Sequence, residues 1–273
     1  MQRVDPITVS VIHGALETIA VEMGFKLMRM AHSSIIRESE DFGAAIVDRR
    51  GRGIAESMQS TPLQSGPLAG YVRGMLRVLE GRGETLRPGD VVIHNDAYAG
   101  ASHGPDVGFI VPVFLDGVLV GYTATAAHHL DIGALTPGSC GIVDAIDAYA
   151  EGLQFRAIKV YEEGRLVEPV WHMLRDNIRA SALVVGDMEA QVAAARIGAE
   201  RLLELIARYG LETFEAACEA ALDQAEALMR GAIAALPDGS WTARTMIDGY
   251  SDSDDRRGAT CRSSRPSPSP ATR

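Results

Sequence analysis

Two apolar runs, Val107 to Leu115 and Val118 to Ala127, meet at Asp116-Gly117, and that dipeptide constrains the chain more than any other feature. Both central residues of a type I′ turn need positive φ, which Asp and Gly tolerate, so the runs are expected to fold back as one long antiparallel hairpin. In a two-residue hairpin Leu115 faces Val118, and the register carries back to set Asp106 opposite Ala127 and Pro105 opposite His128. Paired positions lie about 4.5–5.5 Å apart. Polar residues distant in sequence are therefore drawn together at the open end of the hairpin.

Helices and shorter strands account for the rest of the pattern. Asp5-Pro6 reads as an N-cap followed by proline in the first turn, and Ile12, Leu16, Ile19, Met23, Leu27 and Met30 recur at helical spacing. Gly43 to Asp48 and Gly53 to Ala55 flank the turn-rich Arg49-Arg50-Gly51 and read as a second hairpin. Leu68 to Leu79 predicts a helix ending near Gly81, and Asp90 to Asp96 a strand. Asp187 is placed as the cap of a helix running to Tyr209 and stopped by Gly210. Leu211 to Leu236 follows as a helix with Ala220, Leu222, Ala225, Leu228, Met229 and Ile233 on its apolar face. The expected class is α+β: mixed or antiparallel sheet hairpins with a long N-terminal helix and C-terminal helices. Residues 1–250 read as one domain. Residues 251–273, rich in Arg, Ser and Pro, have too few apolar side chains to offset their ordering entropy and are expected to be a disordered tail.

A chain of 273 residues, 47% of them apolar, can bury a sizeable core. Its net charge of −10, with no basic stripe, gives phosphate-backbone binding little support, so no nucleic-acid partner is expected. Cys140, Cys218 and Cys261 are widely spaced and form no C-x-x-C pair, which argues against a disulfide framework or structural zinc. No uninterrupted apolar run approaches the roughly 20 residues that span a bilayer, and no export signal opens the chain. The expectation is a cytoplasmic protein with no membrane partner.

The chemistry-bearing residues cluster at the hairpin's open end. Asn95-Asp96-Ala97-Tyr98 leads into His103-Gly104-Pro105-Asp106, and His128-His129-Leu130-Asp131 follows the second strand. Taken singly, each histidine is an ordinary loop or strand-end residue; convergence in a turn-defined register makes His103, Asp106 and His128 candidate ligands. Two imidazoles and one carboxylate suit a divalent transition metal such as Mn, Fe or Zn with open positions for substrate. Asp41, Asp96 and Asp131 are the candidate acid–base carboxylates, with Asn95 supporting the loop; Glu38 and Glu40 share the Asp41 cluster, which also reads as a solvated helix end. Ser139-Cys140 lacks an evident base beside it, and Arg175, Asp176, Asn177 and Arg179 suit either anion binding or a surface helix start. Neither G-x-x-x-x-G-K-[ST] nor G-x-G-x-x-G occurs, so any ATP is expected on another chain.

These residues resemble the hydantoinase B family, which includes the B-type components of N-methylhydantoinases, the matching half of 5-oxoprolinase, and α-type subunits of acetone and acetophenone carboxylases. The marks are Arg37-Glu38-Ser39-Glu40-Asp41-Phe42, Asn95-Asp96-Ala97-Tyr98, His103-Gly104-Pro105-Asp106, His128-His129-Leu130-Asp131-Ile132-Gly133, Pro137-Gly138-Ser139, Glu151-Gly152-Leu153 and Gly186-Asp187-Met188-Glu189-Ala190-Gln191. The resemblance covers about residues 5–245 and places a metal on His103, Asp106 and His128. It implies an ATP-dependent cyclic amidase acting on a hydantoin or 5-oxoproline-like ring, with ATP on a hydantoinase A-type partner subunit. The alternative it leaves open is an α-type subunit of a ketone carboxylase. Ala97, Gly104, Ala134 and Cys140-Gly141 depart from the family's usual residues without removing a ligand. Members also continue well beyond the point near Asp248 where the pattern fades, so a C-terminally truncated, non-catalytic fragment is a further expectation.

Overall fold

The computed structural model describes residues 4–139, 145 and 147–244. The Cys140 and Cys261 positions and the 251–273 tail lie outside these. Asp5 caps α1 (Pro6–Met30) by accepting from the backbone N–H groups of Ile7 and Thr8, and Ile12, Leu16, Ile19, Met23 and Leu27 form its buried stripe. A single helical turn, α2 (Ser34–Arg37), leads into the hairpin of β1 (Phe42–Asp48) and β2 (Gly53–Glu56). Another single turn, α3 (Pro62–Ser65), precedes α4 (Leu68–Arg82), which ends in a left-handed Gly83 rather than at Gly81. Then come β3 (Val91–His94), β4 (Asp106–Leu115) and β5 (Val118–His128), followed by a second small hairpin, β6 (Ile158–Glu162) and β7 (Arg165–Leu166). The helices α5 (Glu168–Asn177), α6 (Ser181–Tyr209) and α7 (Leu211–Ala234) complete the described order.

Among the described residues, seven strands join one antiparallel sheet in the order β2-β1-β5-β4-β3-β6-β7, so the fold is α+β. Side-chain alternation divides its two faces. Ala45, Val47, Ile110, Tyr122, Ala124 and Ala126 pack with Tyr71, Val72, Met75 and Leu79 of α4. Ala44, Ile46 and Val120 pack with α1, α6 and α7, while Val107, Phe109 and Val111 pack with α5 and α6. Thr123 and Thr125, buried on that second face, donate their hydroxyls to the carbonyls of Ala195 and Gln191 in α6.

Asp187 is not the cap of α6. The helix starts six residues earlier, at Ser181, and the wholly buried Asp187 carboxylate accepts from the backbone N–H groups of His32 and Ser33, just past the end of α1. By length and composition, α1 is long and apolar enough to cross a membrane, although no uninterrupted apolar run suggested it; its apolar stripe packs against α6 and the first hairpin.

The first compact unit is Met1–Ala227, into whose core α7 sends Phe214, Ala217 and Cys218. The second unit begins at Leu228, and within its described part Leu228, Met229, Ile233 and Leu236 are exposed. The apolar face expected along the whole of α7 is therefore buried only in its first turns.

Candidate metal centre

The Asp116-Gly117 turn forms as expected, with φ of 49° and 79°. Leu115 pairs with Val118 and Phe114 with Leu119, but Val113 then pairs with Gly121. This bulge leaves one extra residue in β5, and every pair beyond it shifts by one. Asp106 therefore faces His128 rather than Ala127. Directly paired residues share a face of the sheet. His128 Nδ1 stands 2.9 Å from Asp106 Oδ1, and His103, on the loop entering β4, brings Nε2 within 3.1 Å of the same oxygen. The two imidazoles stack with centroids 5.2 Å apart.

The surroundings fix this arrangement from α4 and the loop. Ser102 Oγ donates to Asp106 Oδ2, and Tyr71 of α4 donates its hydroxyl to the Asp106 carbonyl while receiving the Ser102 N–H. Burial alone would raise the Asp106 pKa, but the contacts with His103, His128 and Ser102 outweigh it and hold the carboxyl well below the usual carboxylate range. Burial alone would lower the His103 pKa; Asp106 and then Glu151 outweigh it and raise it. Desolvation and the Asp106 charge push the Tyr71 phenol up to about 12, so it stays a donor.

The adjacent His129 belongs to the other face. Wholly buried, it donates from Nε2 to Gln191 Oε1, while Gln191 Nε2 donates to the Val107 carbonyl; burial pushes its pKa down. Alternation at the strand end thus gives one histidine to the cluster and the next to the α6 layer.

Of the candidate carboxylates, Asp41 is joined to the cluster by a backbone hydrogen bond. Its carbonyl accepts the His128 N–H, and its Oδ1 accepts from Gln64 Nε2. Asp96 caps the turn at Ala97–Ala99 and makes an ion-pair contact with Arg156 Nε at 2.7 Å, without hydrogen-bonding geometry. Asp131 accepts from the backbone of Gly133 and from both the backbone and the guanidinium of Arg179, which also donates to the Ala134 carbonyl. Asn95 donates to the carbonyls of Gly104 and Leu153 and accepts the Phe155 N–H, lacing the His103 loop to the segment before β6. Ser102, Tyr71 and Glu151 were not singled out as site residues from the sequence. Only Glu151 carried a signal, as part of the Glu151-Gly152-Leu153 mark.

The donor set fits a metal: one ligand atom each from His103, Asp106 and His128 lies within 4.8 Å of the other two. An ionised carboxylate with two imidazoles, gathered at one end of the β4–β5 hairpin and the loop that enters it, is the type of set that binds Mn, Fe or Zn and leaves coordination positions open.

The hydantoinase B/oxoprolinase family model matches residues 5–262. The chain belongs to that family. It is 61% identical over 255 residues to a protein of Pseudomonas sp. (strain NS671) named as the B-type component of a D-/L-hydantoinase, covering 93% of this chain and 43% of that one. It is 35% identical over 249 residues to the beta component of the caprolactamase of Pseudomonas jessenii, covering 91% and 42%. The crystal structure of the ATP-dependent caprolactamase from P. jessenii superposes with a TM-score of 0.80 at 33% identity, over 90% of this chain and 42% of that one. Nucleotide-free acetone carboxylase, at 20% identity and a TM-score of 0.72 over 78% of this chain and 28% of that one, shares the fold. This member of the hydantoinase B/oxoprolinase family thus spans less than half the length of these relatives.

Proposed function

We propose that this chain is the metal-holding subunit of an ATP-dependent cyclic amidase that opens a hydantoin or lactam-like ring, with His103, Asp106 and His128 as ligands. The observation carrying this reading is the convergence of their three ligand atoms within 4.8 Å, in a family with relatives named for cyclic-amide hydrolysis. A divalent metal bound there supplies Lewis-acid polarisation of a carbonyl oxygen or a lowered pKa for water.

The chain's own groups prepare the site. Ser102 and Tyr71 fix Asp106, Asp106 orients His128, and the Asp41 carbonyl holds the His128 backbone. Among the described residues only Oδ1 of the half-buried Asp41 is engaged, so Oδ2 is the atom we assign to proton handling at the ring. Asp96 and Asp131 are assigned to holding the flanking loops. ATP belongs on a partner of hydantoinase A type, which activates the ring carbonyl.

The test is an ATPase and ring-opening assay with and without such a partner, offering a hydantoin, 5-oxoproline, caprolactam and a ketone. The expected result is no ATP turnover by this chain alone and cyclic-amide-dependent turnover with the partner, abolished in a His103→Ala/His128→Ala double variant. Robust turnover by the isolated chain, or ketone carboxylation in place of ring opening, would overturn the reading.

A further inference from the structure

We propose that Glu151 is a positioning residue for His103, acting on both the imidazole and the backbone that carries it; the proposal rests on the metal reading above. Glu151 Oε1 lies 3.7 Å from His103 Nδ1, while Oε2 accepts the backbone N–H of the next residue, Gly104, at 2.8 Å. One carboxylate thus stands beside the ring on the side opposite Asp106 and hydrogen-bonds the loop one residue on. A carboxylate beside Nδ1 favours the tautomer protonated there, leaving the Nε2 lone pair on the Asp106 side available to ligate.

The residue at 104 is part of the device. A Cβ there would meet Glu151 Cβ at 3.0 Å and Oε2 at 3.1 Å, so the close approach depends on glycine. Glu151 is itself held firmly. It ends a 3-10 turn, Ala148–Glu151, whose start is capped by Asp147, and the Ala150 carbonyl accepts the Leu135 N–H while the Leu153 N–H reaches the Ile132 carbonyl. The strap 131–135 is anchored in turn by the Asp131–Arg179 pair and by the Arg179 bond to the Ala134 carbonyl. Arg179 thus holds the strap, and the strap in turn holds the residues on either side of Glu151.

The experiment is a chelator-competition titration of the full chain with Zn²⁺ and with Mn²⁺, comparing the parent with Glu151→Ala, Glu151→Gln and the exposed control Glu163→Gln. Metal-free melts by circular dichroism report folding. The expected result is a Kd weakened roughly 10–100-fold in Glu151→Ala, the range typical of groups that orient metal ligands. Glu151→Gln, which keeps an acceptor for the Gly104 N–H but loses the charge beside Nδ1, should recover the parent melt but only part of the affinity. Glu163→Gln should match the parent. A Kd within twofold of the parent in both Glu151 variants overturns the positioning role while leaving the metal site standing. A parent that takes up no metal overturns the metal reading, and this proposal with it. If Glu151→Ala fails to fold, the near-isosteric Gln variant decides the matter by the same criterion.

Discussion

Asp106 Oδ1 and His128 Nδ1 stand 2.9 Å apart at directly paired positions of the β4–β5 ladder, on the face of the sheet covered by α4. The same carboxylate meets His103 Nε2 and receives Ser102 Oγ, so one buried anion on β4 collects three polar side chains, one from β5 and two from the loop before β4. Such an anion is stable in the interior only because it is so fully engaged. Removing it strands its partners.

Asp106→Ala is therefore expected to abolish metal uptake, from about one equivalent to near zero by elemental analysis, and to destabilise the metal-free chain by roughly 2–4 kcal/mol in urea unfolding. Retention of a full equivalent of metal would remove Asp106 from the ligand set.

The pH dependence of the metal-free chain follows from the same cluster. His103 has a raised pKa, so its contribution to stability is fully present below the unfolded value of about 6.5 and is lost as pH rises through the folded value. Asp106 has a depressed pKa, so its contribution is present above about 3.9 and is lost as pH falls through its folded value. The cluster favours folding most between those limits, and the metal-free melting temperature should decline from about pH 6.5 upward. Metal affinity should run the other way, tightening over that range because ligation needs unprotonated imidazoles. A His103→Gln variant whose metal-free melt declines as steeply as the parent's would show that another group sets the slope.

Neighbouring histidines should part company. His128 faces the cluster, whereas His129 is wholly buried against α6 and bonded to Gln191. His128→Ala is expected to lose the metal and to lower the melt as well, because the buried Asp106 carboxylate loses one of its partners. His129→Ala is expected to keep about one equivalent while losing roughly 2–3 kcal/mol, because it opens a cavity and leaves Gln191 Oε1 without its donor. Loss of metal from His129→Ala in a chain that remains folded would place that ring in the site.

What the sequence disclosed was mostly local. The Asp116-Gly117 turn, the Asp5-Pro6 helix start and the first hairpin rest on backbone preferences of neighbouring residues, and they formed where expected. The bulge in β5 depends on how two strands meet and has no signature in either alone, which is why the register slipped by one and the convergence of His103, Asp106 and His128 was read more loosely than it is built. Asp187 resembled a helix cap because Asp usually is one near a helix start; its partners, His32 and Ser33, lie more than 150 residues away. Glu151 meets Gly104 across 47 residues, a contact no spacing rule supplies. The β6–β7 hairpin was not read at all, and Arg175 to Asn177, offered as a helix start, form the end of α5; the packing of both elements is set by a shared core that includes Phe155, Trp171 and Met188.

Two helical glycines provide a last test of how the metal loop is seated. On α4, Gly70 and Gly74 lie one turn apart and face the loop 97–101; a Cβ on Gly74 would fall 1.3 Å from the Ala99 carbonyl oxygen, and one on Gly70 would fall 3.1 Å from that of Gly100. Gly100 itself has φ of 110°, and a Cβ there would strike the Gly70 carbonyl at 2.2 Å, so helix and loop touch backbone to backbone. Gly74→Ala must push the loop away, and since Ser102 and His103 follow directly, both stability and metal affinity should fall: by roughly 1–3 kcal/mol or more from overpacking, with a measurable weakening of Kd. Gly14, in the middle of α1, has nothing within 4 Å of its Cβ position. Gly14→Ala should therefore stabilise the chain by about 0.5–1 kcal/mol through helix propensity and leave metal affinity unchanged. Thermal unfolding and metal titration of the two variants side by side check both signs; a Gly74→Ala protein that melts and binds metal like the parent would mean that the loop is not seated on α4 through these glycines.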